Sequence, residues 1–188
     1  MKIFISIDGI DGTGKTTVAK LLGNKFGFIY YKSPADNFEK LRSNVDKDIN
    51  VFGRYSYYRL AVNYDSIRIS ELLKRNNVVS DRYILSTFAY HYAMNKKIKL
   101  IYDDKNIIKP NICFILHASF QVLEKRFIMG NNFDRIIENI TLLKKVEKIF
   151  KNISNYLPNF NVKHINTDKL SENEVANKII KILREYGY

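Results

Sequence analysis

At 188 residues with 46% hydrophobic content, the chain is long enough to fill one core and short for two, so a single domain over residues 1–188 is expected. One cysteine, Cys113, excludes an internal disulfide, and no apolar run approaches the length that crosses a bilayer. Lysine and arginine number 31 against 19 acidic residues, a net charge of +12; the lysines are spread along helical faces, which favours solvated surface and steering of an anionic nucleotide over a dedicated nucleic-acid face.

Residues 2–7 (KIFISI) read as a first strand, with no signal-peptide cleavage site, and together with the lone thiol in ICFIL this predicts a cytoplasmic protein. Further strand-like runs lie at 28–31, 77–80, 112–117 and 162–165. Between them, helical spacing covers 15–26, 37–44, about 52–75, 84–96, 119–128, 134–153 and 171–186, the last opened by a capping box of Ser171 and Glu174. Strands alternating with helices predict an α/β fold: a three-layer, doubly wound sandwich around a five-stranded parallel sheet, of the P-loop NTPase type, with its ligands at the carboxyl ends of the strands.

Residues 9–16 (GIDGTGKT) fit G-x-x-x-x-G-K-[ST] between that first strand and first helix. Gly9, Gly12 and Gly14 let the backbone curl so that successive N–H groups face one anionic centre, and the helix adds its positive end. Gly9, Ile10, Asp11, Gly12, Thr13, Gly14, Lys15, Thr16 and Thr17 are the expected cradle for ATP. Lys15 supplies a charge for the β/γ-phosphates, and the Thr16 hydroxyl is placed to ligate Mg²⁺. The third strand delivers Asp81 and Arg82 at its carboxyl end. A carboxylate there can orient the Mg²⁺ shell through water, and an arginine beside it can clamp phosphoryl groups bidentately.

IDGIDGTGKTT at 7–17, DRYILSTFAY at 81–90, FDRIIEN at 133–139 and INTDKLSENEV at 165–175 resemble the thymidylate kinase family of P-loop nucleoside monophosphate kinases. Asp8 stands where glutamate is commoner in that family, and Glu138 stands one residue later than usual. The resemblance implies transfer of the ATP γ-phosphoryl to dTMP, a homodimer, and a site in which Asp11 serves the acceptor sugar and phosphate, Pro34 shapes the acceptor pocket, and Arg82 clamps phosphoryl groups. In YSYYR at 55–59 it implies that Tyr55 lies against the base while Arg59 reaches its carbonyl edge. Ser86 and Thr87 follow on the next helix, Thr87 facing the base, and Tyr90 disfavours a ribose 2′-hydroxyl; His91 replaces a common glutamine. Gly12 puts the chain among members without an arginine in the P-loop, which carry catalytic arginines on a lid; the lid segment is about 126–135, with Arg126 and Arg135 as candidates. Two other readings stay open: a P-loop kinase of another or broader acceptor, and a nucleotide-dependent nucleic-acid-binding module, against which the DRYILSTFAY segment argues.

Overall fold

β-Branched and aromatic residues recur in five short runs, which form β1 (Phe4–Asp8), β2 (Phe28–Lys32), β3 (Asn77–Asp81), β4 (Ile112–His117) and β5 (Val162–Asn166). In the computed structural model, which describes residues 2–99, 107–129 and 140–188, these strands make one parallel sheet in the order β2-β3-β1-β4-β5. The described helices are α1 (Lys15–Phe26), α2 (Asp36–Asp48), α3 (Val51–Leu73), α4 (Ile84–Met94), α5 (Phe120–Met129), α6 (Ile140–Lys151), α7 (Ile153–Tyr156) and α8 (Glu172–Glu185).

The period of two along each strand sorts the side chains into two cores. Phe4, Val78, Cys113 and Ile115 face Ile69 of α3, Phe88 of α4 and Ile149 of α6. Ile5, Ile7, Val79, Phe114 and Leu116 face Val18 and Leu22 of α1 and Ile179 of α8. Helices therefore cover both sides of the sheet, giving the three layers expected from the alternation of elements.

Helix ends follow local chemistry. Asn50 caps α3 by accepting from the Gly53 N–H at 3.0 Å, and α8 opens on the reciprocal Ser171–Glu174 capping box. The helix predicted over 134–153 is described from Ile140, and it ends at Lys151 because Asn152 leaves helical geometry, its side-chain amide donating back to the Lys148 carbonyl at 2.9 Å. Residues 134–139 of that prediction lie outside the described residues.

The order of the strands sets the place of the site. From β1 the chain crosses to β2 and returns through β3, then crosses to β4 on the other flank. The carboxyl end of β1 is thus the switch point, where connections diverge and leave a crevice.

Candidate active site

The loop that leaves β1 turns through Gly9 (φ 139°), Gly12 (φ 81°) and Gly14 (φ 90°). A Cβ at Gly9 would lie 2.4 Å from the Leu116 carbonyl oxygen, so both φ and contact require glycine there. The loop ends at the α1 N-terminus, where Gly14 makes no side-chain cap, and it walls a cavity of about 460 Å³ with residues 11–18, Arg126 and Thr167. Unused N–H groups at that end suit an anion.

Lys15 is buried, its ammonium 2.7 Å from the Ile10 carbonyl and 3.8 Å from the Asp11 carboxylate. Burial pulls its pKa down to about 8, Arg82 adds to this, and Asp11, Asp81 and Asp8 oppose it. A polyphosphate favours the charged form and raises that pKa on binding. Nucleotide affinity is therefore expected to be full below pH 8 and to fall as pH rises past it, with proton uptake growing over the same range. Calorimetry in two buffers of different ionisation enthalpy measures the uptake, and Lys15→Met should abolish it.

The Thr16 hydroxyl, in the first turn of α1, donates to Oδ2 of Asp81 on β3 at 2.6 Å, and the Tyr30 hydroxyl approaches the same oxygen at 3.4 Å. Asp81 Oδ1 is buried and meets no hydrogen-bond donor among the described residues. A hydroxyl beside a carboxylate with a spare buried oxygen is the hard-oxygen donor set that Mg²⁺ prefers, so these residues fit that ion.

Arg82 follows β3 with φ 67°, a left-handed conformation rare for arginine. Its backbone N–H is held by the Ile7 carbonyl at 2.9 Å. Its guanidinium donates to the Gly9 carbonyl at 3.2 Å, to Ser86 Oγ at 3.4 Å and to the Asp11 carboxylate, and lies 5.3 Å from the Tyr90 ring centre. Burial raises the Asp11 pKa, but Arg82 and Lys15 outweigh it, and the net shift is downward. Asp8 anchors this turn from β1: fully buried, it accepts from the Tyr83 and Ser86 N–H groups at 3.2 and 3.0 Å, and from the Ser86 and Ser6 hydroxyls at 2.6 and 2.8 Å. Burial nonetheless raises its pKa, Ser86, Ser6 and Tyr83 opposing. In the sequence Asp8 stood out only as a departure from a family pattern.

A second cavity, about 820 Å³, opens on the β3 side. Pro34, Arg82, Ser86, Thr87 and Tyr90 line it, together with His91 and, from α2, Arg42 and Asp46. Tyr55 and Arg59 do not line it; α3 instead presents Arg54, Tyr58, Ala61 and Val62. Arg54, Tyr58, Ala61 and Val62 lie on the side of α3 that carries the buried Asp65 and Ile69; Arg59 is turned about 100° from Tyr58, while Tyr55 packs on the ring of His91, 5.5 Å between centres. The Tyr55 hydroxyl donates to the Lys99 carbonyl at 3.2 Å. Tyr58 is oriented by Asp46, both of whose oxygens lie 3.1 Å from its hydroxyl. Asp65, also unanticipated, holds the Pro34 loop by accepting from Tyr31 at 2.9 Å, Ser33 at 2.6 Å and the Ala35 N–H at 3.2 Å.

Arg126 was expected on a lid. It instead braces the phosphate loop, its guanidinium donating to the Gly12 carbonyl at 3.0 Å, to Thr167 Oγ1 at 3.1 Å and to the Thr167 carbonyl at 2.8 Å. A Cβ on Gly12 would come within 2.6 Å of the Phe127 ring, so α5 packs directly on the loop. Arg135 and most of the predicted lid lie outside the described residues.

The model of the family described as thymidylate kinase matches residues 7–179. The chain belongs to the thymidylate kinase family. It is 32% identical over 198 residues to a probable thymidylate kinase of Methanococcus aeolicus, covering 98% of this chain and 97% of that one. The thymidylate kinase of Candida albicans has the same fold, with a TM-score of 0.75 at 18% identity over 99% of this chain and 92% of that chain. The thymidylate kinase of Ehrlichia chaffeensis superposes with a TM-score of 0.72 at 21% identity over 97% of this chain and 98% of its own.

Proposed function

We propose that this chain transfers the γ-phosphoryl group of Mg-ATP to dTMP, giving dTDP and ADP, within one domain. The observation that carries this reading is that the two cavities share Asp11, Gly12 and Thr16 as a common wall. A donor held on the phosphate loop and an acceptor held beside Arg82 meet across that wall, the arrangement direct transfer needs and nucleotide hydrolysis does not. The acceptor phosphate is already anionic, so the chain's task is positioning and charge compensation. Lys15 serves the donor phosphates. Arg82 exchanges its bond to Asp11 for the phosphoryl groups, while Asp11 takes the acceptor sugar. Thr16, and Asp81 through water, would hold Mg²⁺, which would supply charge neutralisation for the phosphates. Arg126 and Arg135 are the candidate arginines for the transferring group. Pro34, Ser86, Thr87 and Tyr90 shape the acceptor site.

The test is ADP formation from Mg-ATP with dTMP, dUMP, dCMP, dGMP, UMP or thymidine, against a no-acceptor control. Strong preference for dTMP is expected; acceptor-independent ADP would move the protein to the hydrolases.

A homodimer is also proposed, supported by an exposed stripe along α3: Phe52, Leu60 and Ile67 are 51%, 60% and 60% exposed and recur at helical spacing on one side. Light scattering should return twice the chain mass. Leu60→Glu with Ile67→Glu should return the monomer, and a monomeric wild type would remove the proposal. A cytoplasmic location is supported by Cys113, a buried free thiol whose pKa burial pushes well up.

A further inference from the structure

His117 is the last residue of β4, and β5 pairs with β4 at the edge of the described sheet. The His117 ring joins two other elements: its Nδ1 is 2.8 Å from Glu147 Oε1 on α6, and its Nε2 is 2.7 Å from His164 Nδ1 on β5. His117 and Glu147 are buried, and His164 is exposed. The two imidazoles lie 5.0 Å apart between centres at 22°. With their nitrogens only 2.7 Å apart they meet edge to edge, closer than the roughly 3.4 Å between two ligands of one tetrahedral zinc ion. The contact is therefore a hydrogen bond, and it holds one proton.

A carboxylate can only accept, so His117 Nδ1 donates to Glu147, and in the neutral pair His117 Nε2 accepts from His164 Nδ1–H. One added proton, on His164 Nε2, keeps both bonds. A second, on His117 Nε2, sets N–H against N–H between two cations. Burial lowers the His164 pKa and His117 lowers it further, against Glu147, so the doubly charged pair belongs to acid pH. Among the described residues, the other charge beside this chain is Lys151 of α6, 3.9 Å from Glu147 Oε1. Lys163 of β5 lies over the Tyr186 ring, and Asp168 accepts from the Ser119 N–H at 2.7 Å. Glu147 Oε2 is buried without a hydrogen bond among the described residues.

The backbone of His117 reaches the donor cavity. Its carbonyl accepts from the Thr167 N–H at 2.8 Å and from the Thr167 hydroxyl at 3.0 Å. Thr167 lines that cavity and takes the Arg126 guanidinium that braces Gly12. One residue thus fastens β5 by its side chain at His164 and by its main chain where the strand enters the donor wall.

We propose that Glu147, His117 and His164 are positioning residues for the donor nucleotide: their hydrogen-bonded chain holds Thr167 and Arg126 against the phosphate loop, and its double protonation weakens nucleotide binding in acid. This rests on the assignment of the loop cavity to the donor. The sign follows from the direction of the His164 shift. A histidine held neutral by the fold resists charging, so the latch is intact above the ordinary histidine pKa, about 6.5, and is lost progressively as pH falls below it.

The test measures ADP affinity by calorimetry at about pH 7.5 and about pH 5.5, either side of the ordinary histidine pKa, in the wild type, His164→Asn and His164→Leu. Melting temperatures at both pH values check folding. Asparagine sets an amide N–H near the place of Nδ1–H and does not titrate, so it should match the wild type at the upper pH. On acidification the wild type should lose on the order of tenfold more affinity than the asparagine variant. Protonation of the ADP phosphate is common to all three proteins and cancels in the comparison. Leucine removes the donor, and should bind ADP about fivefold more weakly at the upper pH, with the shallow pH response of asparagine. An equal acid loss in all three proteins, or wild-type affinity in the leucine variant at the upper pH, would overturn the inference and leave the kinase reading standing. A wild type that binds no ADP at either pH would overturn both.

Discussion

Lys15→Ala is expected to lower turnover roughly a thousandfold or more, the scale seen when a fixed charge or donor is removed from a developing anion. The geometry makes the loss specific. The ammonium is buried in the turn of the loop, 2.7 Å from the Ile10 carbonyl, and its nearest carboxylate, Asp11, is shared with Arg82. Among the described residues, no other lysine lines the donor cavity. Folding should be kept, because a buried ammonium whose pKa is drawn down to about 8 is costly to retain and its removal relieves desolvation. Steady-state ADP release, paired with thermal denaturation, checks both halves. Near-normal turnover in a folded variant would take Lys15 out of the phosphate site.

Asp8→Ala should be the most destabilising of the substitutions considered, at about 3 kcal/mol, because the two backbone N–H groups of Tyr83 and Ser86 lose their acceptor in a fully buried place. For a chain of this length that is a fall of roughly 10 °C in Tm. Activity should fall further than stability accounts for, since the same bonds hold the turn that sets Arg82 at φ 67° beside Gly9. Asp8→Asn gives the contrast. It keeps an acceptor for those N–H groups and removes a charge that burial already disfavours, so most of the stability should return. Equal melting temperatures for wild type and the alanine variant would show that the turn is held by other contacts.

Much of the architecture was legible because it depends on short-range rules. Alternation of apolar runs and helical segments marks a parallel sheet covered on both faces, and the glycine pattern of residues 9–14 demands a left-handed turn wherever it occurs. Residues that line the cavities close to the strand ends, such as Lys15, Thr16, Asp81, Arg82 and Ser86, were located the same way, since the end of a parallel strand has a fixed place relative to its neighbours.

The residues that α3 contributes to the cavity lining differ from the pair that the motif spacing implied. Ala61, Val62 and Ile69 mark the inner face of that helix, but counting back by helical turns from them reaches Tyr58, Arg54 and Tyr55 alike, so the period alone does not choose among them. Motif spacing pointed to Tyr55 and Arg59, and a shift of one residue on a helix turns a side chain by about 100°.

The amino-acid sequence by itself determined the fold class, the phosphate loop and the family, because these rest on backbone conformation and on residues adjacent in the chain. The tertiary structure alone decided that Arg126 braces Gly12 and Thr167, that Asp8 and Asp65 hold the Arg82 and Pro34 turns, and that Arg54 and His91 line one cavity. These partners are 30 to 114 positions apart or sit on different helices. Their meeting depends on helical phase and on how α3, α4 and α5 pack over the sheet, which no local pattern encodes.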